Sequence, residues 1–252
     1  MFVIENDVAT VTIDPERGGR LAGLVVRGRE LLVTDPGDAD PMSWGCFPMV
    51  PWAGRVRRGE LTFDGVTHHL DINMPPHSIH GVGAWRPWHR REDDSLHLDL
   101  GDGWPFGGSV VQRFTLHDAR FVCTMEVAAG DRAMPAQVGW HPWFRKPDEL
   151  RFQPFAMYLR DEEGIPSGEM VEPTSGPWDD CFIGVHQPIV LVWADLEIEL
   201  TSTCDHWVVY DEPVHATCVE PQSGPPDGFT IAPHVVTPDV PLHREFAIAW
   251  RH

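Results

Sequence analysis

Three stretches of the chain alternate apolar and polar residues with a period of two. Leu96, Leu98 and Leu100 point one way and His97 and Asp99 the other. Phe121, Cys123, Met125 and Val127 repeat the pattern, as do Leu196, Ile198 and Leu200 against Glu197 and Glu199. A two-residue period turns one side of an extended strand to a core and the other to water. Residues 8–13 and Arg20–Val26 carry shorter β-branched runs, and residues 188–193 and 195–201 read as an antiparallel pair. Residues 245–250 read as a closing strand, and Glu60–Phe63 and Val66–Leu70 flank Asp64-Gly65, the signature of a type I′ hairpin turn.

No segment of ten or more residues keeps a 3.6-residue apolar period. The 24 Pro and 23 Gly instead punctuate the chain at the roughly 8–12-residue spacing of a sandwich or barrel. The alternation resumes with the same character after the Pro/Gly-rich stretches at residues 35–41 and 162–177, so these read as long functional loops rather than linkers. The pattern predicts an all-β chain, one domain over residues 1–252 built as a sandwich or a barrel.

Composition narrows the function classes. A formal charge of −19 disfavours a general nucleic-acid or anionic-membrane surface, since both reward clustered Lys and Arg. No apolar run approaches membrane-spanning length and the N-terminus lacks the features of a secretory signal, so a soluble cytoplasmic protein is expected. Cys46, Cys123, Cys181, Cys204 and Cys218 are odd in number and widely spaced, which fits buried reduced thiols better than disulfides or a zinc site.

Candidate chemistry sits at strand–loop junctions. Glu220 precedes Pro221 and the segment to Phe229 rich in Pro and Gly, so a strand is expected to stop there and a shaped loop to follow. A carboxylate held by a rigid scaffold beside an open loop suits proton transfer; the plainer reading is a solvated turn glutamate. Arg55 follows a Pro-, Trp- and Gly-containing loop and could clamp hydroxyls or a phosphate, or lie in a surface basic cluster. His77 and His80 form His-x-x-His without the helix or the Glu that a zinc site would want, so His80 is read as a hydrogen-bonding cleft residue and no metal is expected. His141 lies between Trp140 and Trp143 before Pro142, in a pocket expected to be partly dry. Asp179 and Asp180 adjoin in a Pro/Gly-rich stretch, where a turn role is the plainer reading.

The order of these segments resembles the aldose 1-epimerases (mutarotases) of the galactose-mutarotase-like superfamily, in a compact form. The resemblance is carried by Gly18-Gly19-Arg20-Leu21, PWAGRVRRGELTFDG, HSIHG, GWHPWF, WDDCF and VEPQSGPPDGF. It implies a large antiparallel β-sandwich with a sugar cleft on the concave face of one sheet, and cofactor-free interconversion of the α and β anomers of a hexose. It further implies Glu220 as general base, His141 as general acid to the ring oxygen, and Arg55, His80 and Asp179 (with Asp180 as fallback) as substrate-binding residues. Gly54 stands where many members have Asn, so one hydroxyl contact is expected to be missing.

Neighbouring carboxylates are expected to raise the proton affinity of His141 against the opposing effect of burial, giving a charged Glu/His pair with Glu220 on the acid limb of the rate profile. Two rival readings remain. In the first, Arg55, Arg57, Arg58, Arg86, Arg90 and Arg91 form a phosphate clamp and the substrate is a hexose 6-phosphate. In the second, the cleft binds a carbohydrate without catalysis.

Overall fold

The computed structural model describes residues 1–35, 37 and 39–251. Two antiparallel sheets form a large β-sandwich. The first has eleven strands. Ten run in the order Phe2–Glu5, Ala9–Asp14, Arg20–Val26, Cys46–Met49, Gly139–Arg145, Ala216–Gln222, His206–Tyr210, Asp179–Ile183, Ala156–Arg160, Pro166–Val171, and Arg29–Glu30 pairs with Arg20–Val26. The second has eight, in the order His89–Arg90, Leu96–Asp99, Ser109–His117, Arg120–Ala128, Leu242–Trp250, Leu196–Ser202, Ile189–Trp193, Glu149–Arg151.

The alternating stretches became strands facing the core. Phe121, Cys123, Met125 and Val127 are buried, as are Leu96, Leu98, Leu196, Ile198 and Leu200. Burying each such side chain contributes roughly 1.5–3 kcal/mol. Trp140 and Trp207 of the first sheet meet Phe246 of the second with ring centroids 5.9 and 6.4 Å apart. The Asp64-Gly65 hairpin forms with Phe63 opposite Val66 and positive φ at both turn residues (49° and 75°), as a type I′ turn requires. The closing strand starts three residues earlier than expected, at Leu242.

Two local expectations are corrected. The strand carrying Glu220 does not stop there but runs from Ala216 to Gln222, in the interior of the sheet. It passes Pro221 because the ladder to Gly139–Arg145 lapses locally: Gly139 pairs with Gln222 and Trp143 with Cys218, with no pairing between. Pro142 and Pro221, which have no N–H to offer, both fall in that gap. One helical turn, Gly228–Ile231, then occupies part of the expected loop. In the stretch 35–41, Pro36 and Asp38 lie outside the described residues.

Beneath the site, Arg20 is fully buried and donates to four carbonyl oxygens. Nε reaches Arg17 (2.6 Å), Nη1 reaches Pro41 (2.6 Å) and Trp44 (3.1 Å), and Nη2 reaches Ala84 (3.2 Å). Its guanidinium lies 4.3 Å from the Trp44 ring centroid and 5.4 Å from that of Phe47. Gly18 makes this approach possible: at φ 85°, a Cβ there would sit 2.3 Å from the Ala84 carbonyl oxygen.

Candidate active site

The register on either side of the ladder gap is the same, so counting inward from Gly139–Gln222 sets His141 opposite Glu220. Strand alternation does the rest. Val219 and Trp207 turn to the sandwich core, while Glu220 and Gln222 turn outward into a cavity of about 390 Å³. His141 Nε2 lies 3.2 Å from Glu220 Oε1 on the cavity floor, and both side chains are buried. Gln222 Nε2 donates to Glu220 Oε2 at 3.1 Å. The His141 ring stacks on Phe47 (4.6 Å, 24°) and near-parallel to Trp143 (5.5 Å, 14°), which fixes its plane.

The walls come from separate parts of the chain. Arg55–Val56 pairs with Ser78–Ile79, which brings Arg55 beside His80. His80 has φ 58°, accepts at Nδ1 from the Gly54 N–H (3.2 Å) and stands edge-on to His141, centroids 5.1 Å apart. Asp179 opens the strand Asp179–Ile183 rather than a turn, and its Oδ2 lies 3.8 Å from Arg55 Nη2 and accepts from Arg160 Nη1 at 3.0 Å. Asp180 is contacted by Arg160 Nε at 2.8 Å and does not line the cavity, whereas Asp179 does. Arg55, His80, His141, Asp179 and Glu220 therefore converge on one cleft, although they lie up to 165 positions apart in the chain.

Burial dominates the electrostatics. It pushes His141 down to about 3, with Arg20 adding to the effect. It pushes Glu220 well above the usual carboxylate range, helped by Asp179 and opposed by the Gln222 hydrogen bond and Arg55. The expectation that carboxylates would raise His141 is thus reversed: burial favours a protonated Glu220 beside a neutral imidazole. Desolvation, then His141 and Arg55, also hold His80 well below its ordinary value, so it too is neutral. Asp179 is raised by burial, with Arg55 and Arg160 opposing.

His141, Cys218 and Glu220 offer ligand atoms within 4.8 Å of one another. Burial raises the Cys218 thiol well above its ordinary value, and a protonated thiol is a poor ligand. His77 and His80 do not form a pair, since each Nδ1 accepts from a different backbone N–H, of Arg58 and of Gly54.

The family model described as aldose 1-epimerase matches residues 1–212. The chain belongs to the aldose 1-epimerase family. Among curated proteins, this family member is 31% identical to YphB of Escherichia coli K12 over 134 residues (50% of this chain, 46% of that one) and 29% identical to YihR of the same organism over 166 residues (60% and 54%), both uncharacterized. The chain spans about half the length of these relatives in the matched regions. Among solved structures, a candidate aldose 1-epimerase from Escherichia coli K12 superposes with a TM-score of 0.86 (20% identity, covering 99% and 98% of the two chains). Galactose 1-epimerase from Lactobacillus acidophilus gives 0.81 (18% identity, 99% and 93%), and a galactose mutarotase-like protein from Clostridium acetobutylicum gives 0.84 (15%, 99% and 94%). These structures share the fold.

The aldose 1-epimerase match ends before Glu220, whose place in the cleft rests on the strand pairing above. Sequence reasoning missed Arg160 and Gln222. Arg160 sits in a strand with no motif around it, and only the neighbouring strand brings it to Asp179. Gln222 had a readable signal, since residues two apart on a strand share a face. The missing Asn at Gly54 also has a structural reason: Gly54 has φ 69°, and a Cβ there would lie 2.6 Å from Pro226. The loop after Gln222 fills that space, and Pro226 itself lines the cleft.

Proposed function

We propose that the chain interconverts the α and β anomers of an unphosphorylated hexose, with Glu220 and His141 as the acid–base pair and no cofactor. The observation that carries this reading is the 3.2 Å contact between His141 Nε2 and Glu220 Oε1 on the floor of a cleft walled by Arg55, His80 and Asp179. Anomerisation must remove a proton from the C1 hydroxyl and deliver one to the ring oxygen. A pair that shares one proton can do both without exchange with water, each transfer contributing perhaps 10²–10⁴-fold.

In the forward half-reaction, Glu220 takes the C1 hydroxyl proton as C1=O forms and the C1–O5 bond breaks, and His141 gives its proton to O5. That half starts from carboxylate and imidazolium and ends with a protonated Glu220 and a neutral His141. The end state has the proton arrangement that burial favours. The starting state is one proton transfer away across the existing 3.2 Å contact. After rotation about C1–C2 the aldehyde recloses, with Glu220 returning a proton to O1 and His141 removing one from the C5 hydroxyl. Arg55 and Asp179 hold sugar hydroxyls, and His80, neutral and edge-on to His141, lines the wall beside the ring oxygen.

The phosphate-clamp reading has less support. Arg57 pairs with Asp161 and Glu163, Arg58 with Glu163, and Arg90 with Asp94, while Arg86 donates to the Leu100 carbonyl. Arg55 and Arg160 reach the cleft, but both face Asp179. Polarimetry on freshly dissolved glucose, galactose and glucose 6-phosphate tests the proposal. Catalysed mutarotation of a neutral hexose that disappears in Glu220→Gln is the expected result; near-wild-type mutarotation in that variant would sink it.

A further inference from the structure

Three segments that wall the catalytic cleft meet at Arg57, which stands just behind it. The first is its own strand, Arg55–Val56, whose Arg55 faces Asp179. In the second, Asp227 Oδ1 accepts from the Arg57 N–H (3.0 Å) and the Asp227 N–H donates to the Arg55 carbonyl (2.6 Å), which seats the adjacent Pro226 in the cleft wall. The third is the turn between the strands Ala156–Arg160 and Pro166–Val171. There the Arg57 guanidinium is shared by Asp161 (Nη2 to Oδ2, 2.5 Å) and Glu163, and Arg58 adds a contact to Glu163 (2.7 Å). Arg160, Gly164 and Pro166 of this hairpin line the cleft.

The hairpin lacks the usual hold of a sheet on its strands. Ala156–Arg160 pairs with its inner neighbour Asp179–Ile183 where Ala156 meets Ile183 and Met157 meets Phe182, and among the described residues that ladder goes no further. Its outer neighbour, Pro166–Val171, ends the sheet, and the register between the two shifts at Tyr158–Arg160. The turn itself is preformed. Asp161 Oδ1 accepts from the N–H groups of Glu163 (2.9 Å) and Ile165 (3.1 Å), and the Asp161 N–H donates to the Ile165 carbonyl (2.9 Å). The ion pairs are therefore not needed to shape the turn. Together with the buried Ile165 and the contacts of Arg160 with Asp179 and Asp180, they decide where it sits. We infer that Arg57 is a positioning residue for substrate binding: through Asp161 and Glu163 it holds the 160–166 hairpin tip against the Arg55 wall, and so sets the width of the cleft and the seat of Arg160 on Asp179. The kinetic consequence rests on the anomerisation proposed above, and Arg57 meets no sugar itself. Arg57 and Arg58 thus gain a task in place of the phosphate clamp.

Ion pairs at such exposure contribute little to folding, so removing these should move the wall without unfolding the chain. Arg57→Ala should raise KM for a hexose by about fivefold, the equivalent of about 1 kcal/mol, with kcat within about twofold. Glu163→Gln should act in the same direction, and the double variant should be no worse than Arg57→Ala, because the two residues act through a shared contact. A neutral hexose brings no charge of its own. Wild-type KM should therefore rise about twofold between about 0.05 and 0.5 M NaCl as the pairs are screened, and Arg57→Ala should flatten that rise. Arg151→Ala, which loses surface pairs with Glu149 and Glu197 on the other sheet, is the control and should leave KM unchanged. Spin labels on the variants Glu60→Cys and Glu169→Cys, both exposed and with the native cysteines buried, read the wall directly. The distance distribution between them should broaden and shift outward when Arg57→Ala is added. That measurement needs no turnover, so failure of this inference is told apart from failure of the catalytic reading. An unchanged label distance, a KM effect matched by Arg151→Ala, additive single variants, or a loss confined to kcat would overturn the inference.

Discussion

Arg20 and the His141–Glu220 pair are both fully buried polar groups, they lie on either side of the Phe47 ring, and they are built on opposite terms. Arg20 spends its donors on four carbonyl oxygens and rests against two aromatic faces. Burial lowers it to about 10, which still leaves it charged at neutral pH. His141 has an unpartnered Nδ1, Glu220 has one amide donor and one imidazole, and burial pushes both to neutral forms. A buried charge that is fully satisfied fixes structure. A buried pair left short of partners, with its titration displaced, is the kind of group that gathers at functional sites.

The largest effect that could break this comparison is on rate. Glu220→Gln should lower kcat/KM for mutarotation by about 10²-fold or more, with no loss of thermal midpoint at neutral pH, because the amide can still accept from Gln222 and replaces a carboxylate that burial disfavours. His141→Asn should lower kcat by a similar factor, with KM within about threefold, since protonation of O5 matters in the transition state and not in binding. An effect confined to KM would count against the acid role. Arg20→Leu should do the reverse: about 3–5 kcal/mol of stability lost in urea titration, because four carbonyls lose their donor, with the folded fraction keeping its turnover. If Arg20→Leu left stability intact and abolished turnover, the distinction between the two groups would collapse.

The pH dependence sharpens the contrast. In the folded cleft the pair keeps one proton from about pH 3 up to the raised value of Glu220. The unfolded chain holds two protons on these groups below 4.5, one between 4.5 and 6.5, and none above 6.5. The pair therefore adds no slope to stability between 4.5 and 6.5. Its contribution is lost as pH falls from 4.5 toward 3, and again as pH rises above 6.5. Glu220→Gln removes the compensation, so between 4.5 and 6.5 the variant should lose stability relative to wild type as pH falls, by about 1.4 kcal/mol per pH unit. Parallel denaturation curves across that window would contradict the neutral pair. The activity profile follows the same groups, with the acid limb near 3 belonging to His141 and the alkaline limb to Glu220, the opposite of the order expected from sequence.

The smallest effect separates two adjacent carboxylates. Asp179→Asn should raise KM about tenfold by removing a cleft acceptor, while Asp180→Asn, outside the cavity, should change KM by less than about threefold and act through Arg160. Initial rates across a hexose concentration series decide between them.

The sequence alone determined the strands that bury one clean face. The period of two in Phe121–Val127 and Leu196–Leu200 is local information, and any antiparallel partner would bury it. It also marked the five residues of the cleft, because segments as distinctive as Gly139–Phe144 and Val219–Phe229 stand out before any folding is considered. Pairing decided what local pattern could not. A ladder gap holding two prolines carries the strand past Glu220, and an unmarked strand delivers Arg160 to Asp179. Desolvation, which belongs to no single residue, decided which protonation forms of the pair are favoured. His141 and Glu220 read singly are a base near neutrality and an acid well below it; closed together in a dry floor, they exchange that order because the low-dielectric surroundings penalise every charge the sequence would have granted them.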